Sequence, residues 1–229
     1  MKLSLVIPAY NEAHTICDVV RALDSKICDV EDSFEIILVD NGSTDESPKI
    51  LDALRKEVPR LVTVRIPVNR GYGNGILAGL AVAKGEVLGW MHADNQTGAE
   101  NLVKIYQKLR IENFDLCKES RVIRNDSTLQ IVRSRLYNGL FRMMFHSPFH
   151  DVNGSPKLFK RSLYEKADLC SGGWFIDPEI VIKAMQLGCA VGEVSVSWSP
   201  RTHGSSNVKI GASLEFLKNM FMYRFFKNE

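Results

Sequence analysis

No Cys-x-x-Cys pair occurs among the five cysteines of this 229-residue chain, and no apolar run is long enough to span a bilayer. Cys17, Cys28, Cys117, Cys170 and Cys189 form an odd, scattered set. Such a set fits reduced thiols filling a core better than disulfides or a zinc site, and points to a cytoplasmic chain. The excess of positive charge is small, at +2, which argues against nucleic acid as a partner. Neither a P-loop nor a Gly-x-Ser-x-Gly elbow is present, so the commonest phosphate cradle and serine hydrolase patterns are excluded. Internal repeats and low-complexity segments are also missing. The apolar opening at residues 1–9 lacks a small-residue cleavage site and runs into Tyr10-Asn11-Glu12, so it reads as a strand rather than a signal peptide.

What is there is a regular alternation. Short apolar runs at 3–9, 34–39, 61–66 and 87–91 alternate with helical spacings at Ile16, Val19, Val20 and Leu23, at Ile50, Leu51 and Leu54, and at Ile76, Leu77 and Leu80. The order βαβαβαβ predicts a mainly parallel sheet covered by helices, within one domain whose 45% apolar content can fill a core. Ser43 with Glu46 reads as a capping box for the second helix. Gly71-Tyr72-Gly73-Asn74-Gly75 departs from a dinucleotide fingerprint, because Ile76 stands where the third glycine belongs. Its glycines instead suit a tight turn and close helix packing. A fifth strand is expected near 115–118, and 190–198 alternates like another.

Each early strand ends in polar side chains: Glu12, Asp40, Asn69, then His92 and Asp94. Right-handed crossovers bring those ends to one edge of a parallel sheet, where ligands bind. Chance polar loops explain any one of them; four together favour a binding edge. His92, Asp94 and Gln96 alternate at period two, so an extended segment directs them to one side, and carboxylate, imidazole and amide oxygen could hold a divalent cation. The plainer alternative is a polar loop after a core strand.

Further along, a basic amphipathic helix is expected at 131–145. Leu136, Leu140, Phe141, Met143, Met144 and Phe145 form its apolar side, and Arg135, Asn138, Arg142 and His146 the opposite face. It either packs as an ordinary surface helix or rests on lipid. A second Phe-, Met- and base-rich helix is expected at 211–226. Asp177 reads as an N-cap with Pro178 at the first helical position and Gly188 as the stop, while Glu179 suits either the helix dipole or a ligand. The polar stretch 201–206 together with Lys209 could close over phosphates, using Arg201 and Lys209.

Val6-Ile7-Pro8-Ala9-Tyr10-Asn11-Glu12, Val39-Asp40-Asn41-Gly42-Ser43-Thr44-Asp45, Asn69-Arg70-Gly71 and Ala93-Asp94-Asn95-Gln96 together resemble the ordered signatures of family 2 inverting glycosyltransferases of the GT-A fold. The stretches 151–159 and 201–206 look like later motifs of the dolichol-phosphate mannose synthase-like, polyprenyl-phosphate group. The resemblance implies an α/β fold of GT-A type, a single Rossmann-like domain. It divides into a nucleotide-binding half at 1–98, an acceptor half at 99–210 and a C-terminal amphipathic helix at 211–229. It also implies a role in cell-envelope or glycan biosynthesis, with the chain peripheral on the cytoplasmic membrane face.

The implied reaction moves a hexose from a UDP or GDP sugar to a polyprenyl phosphate. Alternatives are a glycan hydroxyl as acceptor, or a non-catalytic nucleotide-sugar-binding protein. By resemblance Pro8, Ala9, Tyr10, Glu12, Asn69, Gly71, His92 and Ala93 line the nucleotide pocket and Asp40 reads the base edge. Asp94 and Gln96 would carry Mn2+ or Mg2+. His92 stands where the family usually has an acid, so it either ligates manganese or marks weaker metal dependence. Arg201 and Lys209 meet the diphosphate, and Arg121, with Arg133 or Arg135, meets the acceptor phosphate. A hydroxyl acceptor would need a general base, for which Asp151, Asp177 and Glu179 are candidates; a lipid phosphate needs none.

Overall fold

The computed structural model describes residues 1–94, 97–124, 128–198 and 210–226. The first part alternates as expected: β1 (Leu3–Ala9), α1 (Ile16–Cys28), β2 (Phe34–Asn41), α2 (Ser47–Glu57), β3 (Leu61–Ile66), α3 (Tyr72–Val82) and β4 (Val87–Trp90). Then follow α4 (Ala99–Ile111), β5 (Leu116–Arg124), α5 (Thr128–Phe145), β6 (Lys157–Lys160), α6 (Arg161–Ala167), α7 (Ile176–Gln186), β7 (Val191–Trp198) and α8 (Ile210–Phe226).

The strands form one seven-stranded sheet in the order β3-β2-β1-β4-β6-β5-β7. All its pairings are parallel except those of β6, which runs antiparallel to both β4 and β5. β6 follows α5 after residues 146–156, and as the antiparallel neighbour of β5 it is free of the crossover that parallel neighbours require. Sequence patterning does not announce it, because four residues ending in lysine carry too little period.

Order reverses between β1 and β4, and the helices change face with it. Leu3, Leu5 and Ile7 of β1 pack with α1, α2 and α4 in one core, whereas Val6 joins α3, α5, α6, α7 and α8 in the other. A crevice outside the carboxyl ends of strands at such a switch point is where open α/β sheets bind ligands. α3 crosses this point closely. A side chain at Gly75 would press on Pro8 Cβ at 3.1 Å, and one at Gly79 on Val39 at 3.0 Å, so the glycines permit the close helix packing read from sequence.

Three local expectations are overturned. α2 starts at Ser47 rather than behind Ser43; Ser43 instead donates its N–H to Asp40 Oδ1 at 2.9 Å, while Asp45 Oδ1 accepts the Ser47 N–H at 3.0 Å. α7 starts at Ile176 with Phe175 as its cap, so Asp177 lies inside the first turn and its carboxylate serves tertiary partners. On α5, Leu136 and Met143 are 70% and 68% exposed while Asn138 is buried. Asn138 Nδ2 donates to Ser134 O at 2.9 Å and its Oδ1 accepts from Val152 N at 3.0 Å; that tie rotates the helix away from the orientation its leucines suggest.

Candidate active site

The exits of β1 and β2 are stitched into one wall. Asn11, at φ 56°, accepts the Thr44 N–H on Oδ1 at 2.8 Å and donates its own N–H to Ser43 Oγ at 3.0 Å. Ala13 N donates to Asp45 Oδ2 at 3.3 Å. Tyr10 stands exposed on this wall, Ala9 is buried opposite Asp40 in register, and Pro8 lies under α3. Thr15 Oγ1 lies 3.2 Å from Glu12 Oε2 and 3.0 Å from Ala93 O, which ties the β1 exit to the β4 exit.

Asp40 is buried at the end of β2, and its Oδ2 lies 3.2 Å from Nε of Arg65, its exposed register partner on β3. An acceptor carboxylate and a donor guanidinium thus stand side by side, the combination a base edge with an imide N–H and a carbonyl requires. Sequence reasoning misses Arg65 because one arginine in an alternating edge strand carries no signal. Asn69 and Gly71 shape the next turn. Asn69 Oδ1 accepts the Gly71 N–H at 2.9 Å and Asn41 Nδ2 donates to Gly71 O at 3.0 Å. Gly71 has φ 104°, and a Cβ there would meet Gly172 O at 2.7 Å. That contact docks the glycine segment onto the 171–173 loop, where Asn74 N also donates to Gly172 O at 3.0 Å.

Beyond β4 the site becomes aromatic. The His92 ring stacks on Tyr72 at 5.0 Å between centroids, and Tyr72 on Trp174 at 4.5 Å. Burial lowers the pKa of His92 against the pull of Asp94 and Asp177, so its imidazole is neutral near pH 7. Burial likewise raises Tyr72 well above its ordinary value, and Asp177 and Asp94 add to the shift. Asp94 is 8% exposed, and its charge and that of Asp177 act on both rings. Gln96, Arg201 and Lys209 lie outside the described residues.

The three candidate bases each have internal partners. Asp177 Oδ1 accepts from Lys157 Nζ at 2.6 Å and from Trp90 Nε1 at 3.0 Å. Lys157, fully buried, also donates to Gly154 O at 2.6 Å; burial lowers its pKa against the pull of Asp177. Glu179 accepts the backbone N–H groups of Cys170 at 3.2 Å and Ser171 at 2.8 Å, so it holds the loop that carries Trp174. Asp151 is bidentate to Arg121, at 2.6 Å from Nε and 2.7 Å from Nη2. Burial alone would raise the Asp151 carboxyl, but Arg121 outweighs it and holds the group well below the usual carboxylate range. Lys118, buried beneath, donates to Asp151 O at 2.7 Å and pairs with Glu193. Sequence reasoning also misses Lys118 and Lys157, because isolated lysines in short strands look like solvated ends. On α5, Arg133 is half-buried and Arg135 exposed.

Comparison with known proteins shows the family and the fold. The glycosyl transferase family 2 profile matches residues 4–168. Glycosyltransferase AglD of Haloferax volcanii is 31% identical over 211 residues, covering 88% of this chain and 34% of that protein. Undecaprenyl-phosphate 4-deoxy-4-formamido-L-arabinose transferase of Pseudomonas aeruginosa is 28% identical, over 96% of this chain and 63% of that protein. The chain thus spans between a third and two thirds of the length of these curated relatives. Glucosyl-3-phosphoglycerate synthase from Mycobacterium tuberculosis, in complex with Mn2+, UDP and phosphoglyceric acid, superposes with a TM-score of 0.77 at 19% identity, over 97% of this chain and 78% of that one. A second structure of that synthase, with Mg2+ and UDP, gives a TM-score of 0.74 at 20% identity, over 97% and 79%. The fold is that of GT-A glycosyltransferases, and the chain belongs to glycosyl transferase family 2.

Proposed function

We propose that the protein transfers a hexose from a UDP or GDP sugar to a polyprenyl phosphate, inverting the anomeric carbon. The observation that carries the acceptor is the engagement of Asp151, Asp177 and Glu179, each buried and each bound to groups of its own fold. A hydroxyl acceptor must give up a proton as it attacks. A phosphate monoester arrives already anionic, so its oxygen can bond to the anomeric carbon, while the bond to the diphosphate breaks, with no base at hand.

In this reading residues 1–98 form the nucleotide half, 99–210 the acceptor half, and the last helix a membrane-facing element. Asp40 with Arg65 reads the base, and Tyr10, Glu12 and the turn shaped by Asn69 and Gly71 surround the nucleotide. Among the described residues no group of three His, Cys, Asp or Glu side chains forms a cation cage. That leaves a donor set of the buried Asp94 carboxylate and the neutral imidazole of His92. Such a set fits a cation that draws its other ligands from the substrate's phosphates and water, as Mg2+ commonly does. Asp94 would hold Mn2+ or Mg2+, with His92 and Gln96 the further candidates, and the ion would supply counter-charge to the diphosphate. The relatives point the same way: one is named for undecaprenyl phosphate, and the structural neighbours contain UDP with Mn2+ or Mg2+. Arg201 and Lys209 are assigned to the diphosphate. Arg133 and Arg135 are assigned to the acceptor phosphate, with Arg121 sharing its charge with Asp151.

The outer face supports a lipid acceptor. Among the described residues no helix is long and apolar enough to cross a membrane. Yet α5 exposes Val132, Leu136 and Met143, and the neighbouring α8 exposes Phe221, Met222 and Phe225. Arg135, Arg142, Lys218 and Arg224 lie among them, and α5 has no acidic residue. That mixture suits the boundary of an anionic bilayer. The test is a competition: purified protein receives nucleotide sugars, Mn2+, short-chain polyprenyl phosphate in anionic vesicles, and a soluble saccharide. The expected product is the lipid-linked sugar; faster glycosylation of the saccharide would refute the reading and return Asp151, Asp177 and Glu179 as bases to test.

A further inference from the structure

Glu119 has no part in the proposed reaction, yet it is completely buried in the middle of β5. Its Oε2 lies 3.0 Å from Thr97 Oγ1, and its Oε1 is buried without a hydrogen-bond partner. Thr97 Oγ1 also lies 3.3 Å from Ser155 O, in the loop leading to β6. A threonine hydroxyl has one hydrogen. If Glu119 is ionised, its carboxylate and the Ser155 carbonyl are both acceptors competing for that hydrogen, and a charge sits unpaired in the sheet. If Glu119 is protonated, it can donate to Thr97 Oγ1, which donates in turn to Ser155 O, and the chain of bonds is complete. Burial raises the Glu119 carboxyl to about 7, with Thr97 and Arg121 opposing, Asp151 adding to the rise and Lys157 opposing it. Among the described residues, α4 contributes Ala99, Leu102, Ile105, Tyr106 and Leu109 to the core on this face, and the one titratable group of that set, the Tyr106 hydroxyl, donates to Glu31.

The junction is tight as well as polar. A Cβ at Gly154 would run into the carbonyl oxygen of Glu119, so the loop before β6 lies directly on β5 here. Thr97 follows Asp94 by three residues in the chain, so this junction lies close in sequence to the β4 exit. We propose that Glu119 is a positioning residue whose carboxyl, in its neutral form, ties Thr97 to Ser155 and thereby fixes the segment carrying Asp94. The link to catalysis rests on the donor-site role given to Asp94; the structural link does not.

Hydrogen exchange of a peptide spanning residues 91–98 tests it on the ligand-free protein, from about pH 6 to about pH 8.5, corrected for the intrinsic pH dependence of exchange. Wild type should lose protection as the pH rises through about 7. Glu119→Gln, whose amide donates to Thr97 at every pH, should keep it, and Thr97→Val should be poorly protected throughout. In the transfer assay the KM for the donor should rise over the same range in wild type and stay level in Glu119→Gln, with kcat changing less. Constant protection in wild type, or an equal loss in Glu119→Gln, overturns the proposal. If Glu119→Gln does not fold, the wild-type series decides alone. The exchange arm uses no donor, acceptor or metal, so its outcome stands even where glycosyltransfer fails.

Discussion

The two halves of the sheet bury charge differently. Among the described residues, the part up to Asp94 buries Glu35, Asp40 and Asp94, all acids; the part after it buries Lys118, Glu119, Asp151, Lys157, Asp177 and Glu179, of both signs. In the first half Glu35 is held at the amino end of β2 by Ser4 Oγ and Lys84 N, whereas Asp40 and Asp94 lie at the carboxyl ends of their strands, where the crevice is. In the second the charges mostly satisfy one another through Lys157–Asp177, Arg121–Asp151 and Lys118–Glu193. On the proposed function, one half receives a cation and a nucleotide, and the other holds a rigid frame around a substrate that brings its own charge. Preorganisation of this kind places cost in the fold rather than in the reaction.

The contrast is broken most severely at Lys157. Lys157→Ala leaves Asp177 buried and unpaired, and should destabilise the protein by about 3–5 kcal/mol in denaturant melts; a loss within about 1 kcal/mol would mean that Asp177 finds water. Glu119 sharpens it from the other direction. Its folded pKa, about 7, lies above the ordinary 4.5, so the folded state binds the extra proton and stability falls as pH rises across that window. Glu119→Gln should therefore gain on the order of 2–3 kcal/mol over wild type at pH 8 and nothing at pH 4.

For Asp151, which Arg121 holds low, the sign reverses: its contribution is present above the unfolded carboxylate value and lost as pH falls towards the folded one. Asp40→Asn tests the first half. Replacing one acceptor oxygen by a donor should cost about 1.5–3 kcal/mol of donor affinity, roughly tenfold to more than a hundredfold by calorimetry. Arg21→Gln is the smallest effect: the Arg21–Glu57 pair is exposed at the surface, so the melting temperature should not move measurably.

Legibility in the sequence divides along the same line. β1 and β3 fall where the apolar runs place them, and the four polar strand ends do gather at one edge, because parallel strands announce themselves by composition and crossovers fix their direction. β6 and the buried lysines are invisible at that level. Their meaning depends on partners twenty to thirty-three residues away, Lys157 with Asp177 and Lys118 with Asp151, which no local period encodes. Asp177 shows the trap most clearly: Asp before Pro is a strong capping signal, yet Trp90 and Lys157 claim its carboxylate and the helix begins two residues earlier than that signal places it. Tyr72 is hidden inside a glycine motif that reads, correctly for Gly73 and Gly75, as packing.

The division of labour is tested most directly by one calorimetric titration of UDP with Mn2+ into three proteins: wild type, Asp94→Ala, and Arg133→Gln combined with Arg135→Gln. Binding should be lost in Asp94→Ala and unchanged in the double variant, since none of the groups proposed to hold the nucleotide comes from α5. Equal weakening in both variants, or full binding by Asp94→Ala, would contradict the account.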